Sequence, residues 1–494
     1  MDYMSTRGGA SGVKSAEAIL KGLAPDGGLF VPDEMPHVDK AFLDELKDMD
    51  YMGRACSVLR LFLTDYDDEE IKGCVERAYG GGKFDTVDIA PVMTDCSFPI
   101  LELWHGPTSA FKDMALQLLP QLMTTAMKKT GEKSQILILA ATSGDTGKAA
   151  LCGFQDVPGT KILTFYPKGG VAKMQELQMV TQKGANTGVL AVEGNFDDAQ
   201  AGVKSIFADK VLAGKLLENN VKLSSANSIN WGRLAPQIVY YFSAYTDLLR
   251  SGRIKDGESV DFVVPTGNFG DILAGFYAKK MGLPVGRLVC ASNRNNVLTD
   301  FLNTGIYDRK RDFYKTISPS MDILVSSNLE RLLWYMTDDT AIVKRWMTEL
   351  AENGSYDVGA EVLDKIKDTF SAGCADDERT KAVIREVYEK EDYVLDPHTA
   401  VAWAVAEDYS KANKGRCVTV LSTASPYKFC QSVLEAVGEN VDNKDTFYML
   451  DRLSDINRYH VPAGLAALRT AEVLHSDSCR KEEMPDMVLD FAQR

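Results

Sequence analysis

Residues 135–154 read QILILAATSGDTGKAALCGF. The run Gln135–Ala141 has the length of a strand. Its apolar residues do not alternate with polar ones, which predicts a strand buried on both faces. It ends in Thr142-Ser143-Gly144-Asp145-Thr146-Gly147, and a helix start built of small residues follows. The same unit recurs along the chain. Lys161–Tyr166 (KILTFY) and Gly188–Val192 (GVLAV) read as further strands. Asp261–Val264 (DFVV) runs into Pro265-Thr266-Gly267-Asn268-Phe269-Gly270-Asp271 and then the helical ILAGFYAKKMG. Arg416–Leu421 (RCVTVL) runs into Ser422-Thr423-Ala424-Ser425-Pro426. Short apolar strands alternating with helices predict an α/β protein with parallel sheets. Ligands of such sheets bind beyond the carboxyl ends of the strands, so these three loops are the candidate site.

Outward from this core the chain changes character. Its first 95 or so residues look helical and acidic, as in AFLDELKDMD and DYDDEEIKGCVERAY, with breaks offered by Gly80–Gly82 and Pro91. Phe111–Lys128 has apolar residues at helical spacing, and Pro120 inside it predicts a kink or a split into two helices. Asp376–Glu391 reads as a solvated, highly charged helix, and the tail after Leu474 is expected to be loosely held.

The 494 residues carry 55 Lys and Arg against 70 Asp and Glu, a formal net charge of −15. A broad nucleic-acid surface needs a basic patch, so that class is excluded. A few amides and one or two cations in a cleft still suffice for a small anion. Nine cysteines without a CxxC pair argue for a reducing compartment, and five scattered histidines carry no zinc signature, so no metal is expected. No run of about 18 apolar residues predicts a membrane span, and the opening MDYMSTRGGASG lacks a signal-peptide core. The expected location is the cytoplasm.

Both glycine-bearing loops lead into helices. A helix start has free N–H groups and a partial positive charge, and glycine lets a ligand approach the backbone. Gly267–Asp271 is therefore a candidate phosphate cradle, and Ser143–Gly147 repeats the geometry with two hydroxyls added. Two sockets suggest a ligand with two anionic ends, or a cofactor phosphate beside an anionic substrate. Gly147-Lys148 is no Walker A motif, since Thr142 stands at the first Gly position and Ala149 follows the lysine. Gly267–Gly275 lacks a dinucleotide fingerprint. Asp145 and Asp271 would repel phosphate; they are expected to turn aside and hold backbone or cations. Lys112 follows Trp104-His105-Gly106-Pro107-Thr108-Ser109-Ala110-Phe111 at the start of a helix. Positive potential and burial there lower a lysine's pKa and favour a nucleophilic amine, although most lysines so placed are plain surface residues. A hydroxyl of Ser422–Ser425 is placed to hydrogen-bond a ring nitrogen.

These residues together resemble the threonine synthase family of pyridoxal-phosphate enzymes, which have the tryptophan-synthase-β type of fold. The resemblance runs through Ser5-Thr6-Arg7-Gly8, Gly22–Pro32, His105–Asp113, Ala141–Gly147, Asn227–Arg233, Pro265–Asp271, Asp322–Leu333 and Ser422-Thr423-Ala424. It implies two three-layer α/β domains around a cofactor cleft, plus a mostly helical N-terminal domain. The expected division is 1–95 for that domain, 96–250 for a smaller α/β domain with Lys112, and 251–494 for a large one with the phosphate loop, boundaries approximate and domains free to interleave. It implies that Lys112 forms the Schiff base with pyridoxal 5'-phosphate. Gly267, Asn268, Phe269, Gly270 and Asp271 would hold the cofactor phosphate, and Thr423 would face the pyridine nitrogen. Thr108, Ser143, Asp145, Thr146 and Arg331 would meet substrate. Arg7, Lys148, Lys173 and Arg233 join Arg331 as candidate cations for its phosphate.

The implied reaction converts O-phospho-L-homoserine and water to L-threonine and phosphate, the last step in making threonine. A phospho-lyase releasing 2-oxobutyrate and a non-catalytic pyridoxal-phosphate-binding protein remain alternatives. The implied partner is this small substrate, with no nucleic acid or membrane, and the assembly a monomer or homodimer. The chain departs from the family pattern at Ser109, Lys148, Ser425 and Pro120, which bears on substrate preference more than on cofactor binding.

Overall fold

The structure, a computed structural model, describes residues 1–494. Two sheets organise it. The larger runs in the order Val92–Met93, Ile100–Glu102, Cys417–Ser422, Val260–Pro265, Val285–Ser292, Phe370–Cys374. Every pair in it is parallel except Val92–Met93 against Ile100–Glu102. The smaller sheet is parallel throughout, in the order Ser478–Cys479, Thr187–Val192, Thr160–Pro167, Gln135–Ala141, Val221–Ser224. Helices cover both, as buried parallel strands require.

Register places the candidate loops. Val420 lies opposite both Ile100 and Val263, so Ile100–Glu102, Cys417–Ser422 and Val260–Pro265 end side by side. In the smaller sheet Gln135–Ala141 sits between Thr160–Pro167 and Val221–Ser224, and its loop leaves from the carboxyl edge. Between the sheets runs Trp231–Arg250, a helix buried on almost every side. It packs against Lys112–Leu116, Gly270–Met281 and the N-terminal helix Tyr51–Arg60. An all-round apolar helix is what an interior position demands.

Pro120 does split the expected helix. Lys112–Leu116 ends, and Leu119–Thr130 begins with the proline in its first turn, where no N–H is needed. The N-terminal region is mostly helical, and Asp68–Tyr79 stops at Gly80. It also holds a short antiparallel ribbon of Tyr3–Ser5 with Phe30–Pro32.

Several stretches cross the expected cuts. Ile100–Glu102 joins the larger sheet although it precedes Lys112, and Ser478–Cys479 returns to the smaller sheet. The tail is not loose. Helix Met484–Gln493 buries Met484, Val488 and Ala492, spaced by four, against the smaller sheet. Phe491 leans over Gly188, where any Cβ would lie 2.7 Å from its ring. Burial of such side chains stabilises by about 1.5–3 kcal/mol each, which holds the segment down. No helix is long and apolar enough to cross a membrane.

A buried polar knot ties strand Ile100–Glu102 to the C-terminal region. Glu102, 1% exposed, accepts from Tyr393 Oη at 2.6 Å, Tyr459 Oη at 2.7 Å and His105 Nε2 at 2.9 Å. His105 Nδ1 meets Asp85 at 2.6 Å, and Trp104 stacks on the ring. Burial opposes a charged imidazole here, but hydrogen bonds and charge from Asp85 and Glu102 prevail and raise its pKa to about 9. A raised folded pKa contributes stability that is complete below the unfolded value, about 6.5, and is lost as pH rises through 9. Thermal unfolding is therefore expected to fall between pH 7 and 9.5 by the equivalent of about 2 kcal/mol, and His105→Gln to flatten that fall. An unchanged slope in the variant would remove His105 from the account.

Candidate active site

The phosphate-cradle loop follows strand Val260–Pro265. Phe269 is left-handed at φ 63° and buried, which turns the chain sharply into helix Gly270–Met281. That helix has no side-chain cap. The N–H groups of Asn268, Phe269, Gly270 and Asp271 donate to no other group in the chain. A Cβ on Gly267 would lie 2.7 Å from Ser320 O, so the backbone is close-packed there. A concave run of free amides at a helix start suits a phosphate.

The second socket has the same form. Gly144, at φ 138°, precedes helix Asp145–Phe154 and, as a glycine, brings no side chain to cap it. Thr142 Oγ1 takes the Gly144 and Gly147 N–H groups, each at 2.9 Å, and braces the loop. The amides of Ser143, Asp145 and Thr146 stay free, as do the Ser143 and Thr146 hydroxyls.

Lys112 lies between the sockets. A bond from Phe111 N to Thr423 O at 2.8 Å and a bridge between Ala110 and Ala424 fasten its loop to the end of Cys417–Ser422. Its Nζ is 3.4 Å from Ser320 Oγ and 3.7 Å from Asp145 Oδ2. Burial lowers the amine's pKa to about 8; Asp145 opposes this, and Arg233 and Lys428 add to it. A lysine near 8 is partly neutral at physiological pH, as a nucleophile or base must be.

Asp145 holds cations as expected but points toward Lys112, whereas the Asp271 carboxylate holds tyrosine hydroxyls in place of backbone or a cation. Asp145 forms a buried pair with Lys428 Nζ at 2.6 Å and accepts from Gln175 Nε2 at 2.7 Å. Burial alone would raise its pKa; the charges of Lys428 and Lys112 win and hold it ionised, well below the carboxylate range. Asp271 accepts from Tyr240 Oη at 2.6 Å and Tyr241 Oη at 3.0 Å, while its Oδ2 is buried without a partner. Burial raises it to about 6, against those two hydrogen bonds.

Two expected substrate contacts face inward. Arg331 is fully buried; it donates to Phe30 O at 3.0 Å, Ile229 O at 2.6 Å and Asn328 Oδ1 at 2.5 Å. Asn328 in turn donates to Asn268 O and Ser228 Oγ. Carbonyls claim the guanidinium, so Arg331 buttresses the phosphate loop from behind. Thr108 Oγ1 donates to Asp113 at 2.7 Å and is likewise buried. Burial raises Asp113 to about 6. Among the other cations, Arg7 pairs with Glu330, Lys173 with Glu176, and Lys148 donates to Gln182. Arg233 donates to Ala226 O and lies close enough to Lys112 to depress its pKa.

Lys428, Gln175 and Ser320 were not legible as site residues in sequence. Lys428 stands six residues past strand Cys417–Ser422, a spacing with no signature of its own. Two departures from the family pattern meet: Ser425 N donates to Ser109 O at 3.1 Å, and both residues are buried.

Residues 2–79 match the family model for the threonine synthase N terminus, 100–423 that for pyridoxal-phosphate dependent enzymes, and 399–473 that for the threonine synthase C-terminal region. The chain belongs to the threonine synthases. The threonine synthase of Saccharomyces cerevisiae is 38% identical over 466 residues, spanning 88% of this chain and 89% of the relative. Threonine synthase-like 1 of Homo sapiens is 39% identical over 456 residues, 90% of this chain and 60% of that longer protein. A crystal structure of PLP-bound threonine synthase from Brucella melitensis matches with a TM-score of 0.88 at 36% identity, covering 100% of both chains. The threonine synthase family uses pyridoxal phosphate, and the site fits that group: free amides for the phosphate, a buried amine with lowered pKa beside them, and a hydroxyl at Thr423 without a partner in the chain.

Proposed function

We propose that the chain is a threonine synthase, a pyridoxal-phosphate-dependent lyase that converts O-phospho-L-homoserine and water to L-threonine and phosphate. The observation that carries this is the pair of helix starts with free amides flanking Lys112. A cofactor phosphate and an anionic amino-acid substrate need two anion sockets with a reactive amine between them.

In this reading Gly267–Asp271 hold the cofactor phosphate with main-chain N–H groups, and Lys112 bonds the cofactor as a Schiff base. Pyridoxal phosphate, when bound, supplies an electron sink for the negative charge developed on substrate carbon. Lys112, once released by the substrate amine, takes the proton from the substrate's α carbon. Its lowered pKa leaves a lone pair available for that step. The amides of Ser143, Asp145 and Thr146 and the two free hydroxyls bind the substrate's carboxylate or phosphate end. The Thr423 hydroxyl would be the partner for the cofactor's ring nitrogen, and a neutral partner there would favour an unprotonated nitrogen and limit electron withdrawal. The reading is compatible with a monomer or a homodimer. Nine cysteines without a disulfide fit work in the reducing cytoplasm.

Identity near 39% to both threonine synthase and threonine synthase-like 1 makes the product the deciding measurement. Holoenzyme given O-phospho-L-homoserine is expected to release threonine and phosphate in equal amounts. Phosphate with 2-oxobutyrate in place of threonine would move the chain to phospho-lyase chemistry. No phosphate at all, with cofactor bound, would overturn the substrate.

A further inference from the structure

Pro319–Met321 form a single 3-10 turn between the two sockets. Ser320 meets three parts of the site at once. Its carbonyl is the atom against which Gly267 is packed. Its Oγ donates to Asp145 Oδ2 at 3.2 Å, and the remaining lone pair faces Lys112 Nζ at 3.4 Å. Its main-chain N–H donates to His398 Nε2 at 3.1 Å.

His398 is held just as firmly. It is 2% exposed, in the first turn of helix Pro397–Ala412, and its Nδ1 lies 2.7 Å from Asp396 Oδ1. Asp396, 1% exposed, caps that helix by accepting the His398 N–H at 2.9 Å and the Thr399 N–H at 3.2 Å. An acceptor at Nδ1 and a donor at Nε2 assign one tautomer, neutral with its proton on Nδ1. Serine, histidine and aspartate here resemble a hydrolase triad in composition only. The ring holds the Ser320 peptide and not its hydroxyl, so it does not activate a nucleophile. It leaves the hydroxyl free to act on Lys112.

We propose that Ser320 is a positioning residue for the Lys112 amine, and that His398 and Asp396 act through it by anchoring its peptide. The Ser320 hydroxyl holds Nζ away from a closer pairing with Asp145 and offsets part of that aspartate's charge. The inference rests on Lys112 being the cofactor-bearing lysine. The charged groups facing Lys112 are Asp145, Arg233 and Lys428, with Asp271 behind the phosphate loop. Without the hydroxyl, Asp145 loses a donor and draws the ammonium in, so Lys112 holds its proton to higher pH.

The test uses full-length protein stripped of cofactor and remixed with pyridoxal phosphate, the rise of the visible band being followed by stopped flow across about pH 6 to 10. The rate is expected to climb with pH as the Lys112 amine loses its proton. Ser320→Ala is expected to move that midpoint upward by about half a unit, a roughly threefold slower capture at neutral pH. His398→Leu should reproduce the shift, and His398→Gln, whose side-chain carbonyl can take the Ser320 N–H, should restore the wild-type midpoint. An unmoved midpoint in Ser320→Ala overturns the proposal, and a shift there without one in His398→Leu overturns the anchoring role. Persistence of the band in Lys112→Ala would instead overturn the assignment of Lys112 itself.

Discussion

Lys112→Ala is expected to remove the visible band of the bound cofactor and to lower kcat for phosphate release by more than about a thousandfold. The size follows from two losses in one change. The amine that bonds the cofactor disappears, and so does the base that takes the α proton. The fold should survive, because Asp145 keeps its closer partner Lys428 at 2.6 Å and loses only a contact of 3.7 Å. Unfolding midpoint and spectrum together separate the outcomes. A variant that folds as wild type, stays colourless and recovers part of its rate with an added small primary amine places the defect in the amine alone. A variant that retains both band and turnover would remove Lys112 from the chemistry.

Asp145→Asn should cost stability and shift the Lys112 titration together. The Lys428 side chain has no exposed surface, and Asp145 is its counter-charge. Removing one partner of a buried pair leaves an uncompensated charge, typically about 3–5 kcal/mol. In a chain of this size that is a fall in unfolding midpoint on the order of 5 °C. The same carboxylate raises the Lys112 pKa against burial, so its loss should move the amine further below about 8. The pH midpoint of cofactor capture then falls, the direction opposite to that expected for Ser320→Ala. Lys428→Met in the Asp145→Asn background separates the effects. Stability should recover because the stranded charge is gone, and the capture midpoint should rise part of the way back, because the Lys428 charge also lowers the Lys112 pKa. An unfolding midpoint unchanged in the single variant would show that water or rearrangement compensates Lys428.

Much of the site was written in contiguous residues. Gly267–Asp271 and Ser143–Gly147 could be read as anion sockets because a helix start presents its amides whatever surrounds it, and glycine supplies the backbone freedom locally. Placement of Lys112 at a helix start was local in the same sense, and so was the split at Pro120, which follows from a missing N–H. The short strands Ile100–Glu102 and Phe370–Cys374 carried no such signal. They are strands because a neighbour in the sheet takes their hydrogen bonds.

The amino-acid sequence by itself determined the alternation of strand and helix, the two glycine-bearing helix starts and a lysine at the start of a third helix. Only the tertiary structure decided what charge each group carries and which way it faces. Arg331 looked like a phosphate ligand and is claimed by the carbonyls of Phe30 and Ile229, far from it in the chain. Asp145 is held ionised and Asp271 is raised to about 6, although both follow a glycine-bearing loop at a helix start. The difference is that Asp145 is buried against Lys428 and Lys112, and Asp271 against two tyrosine hydroxyls. Backbone geometry is set over a few residues, whereas desolvation and pairing depend on segments that meet only when the sheets and the central helix have packed.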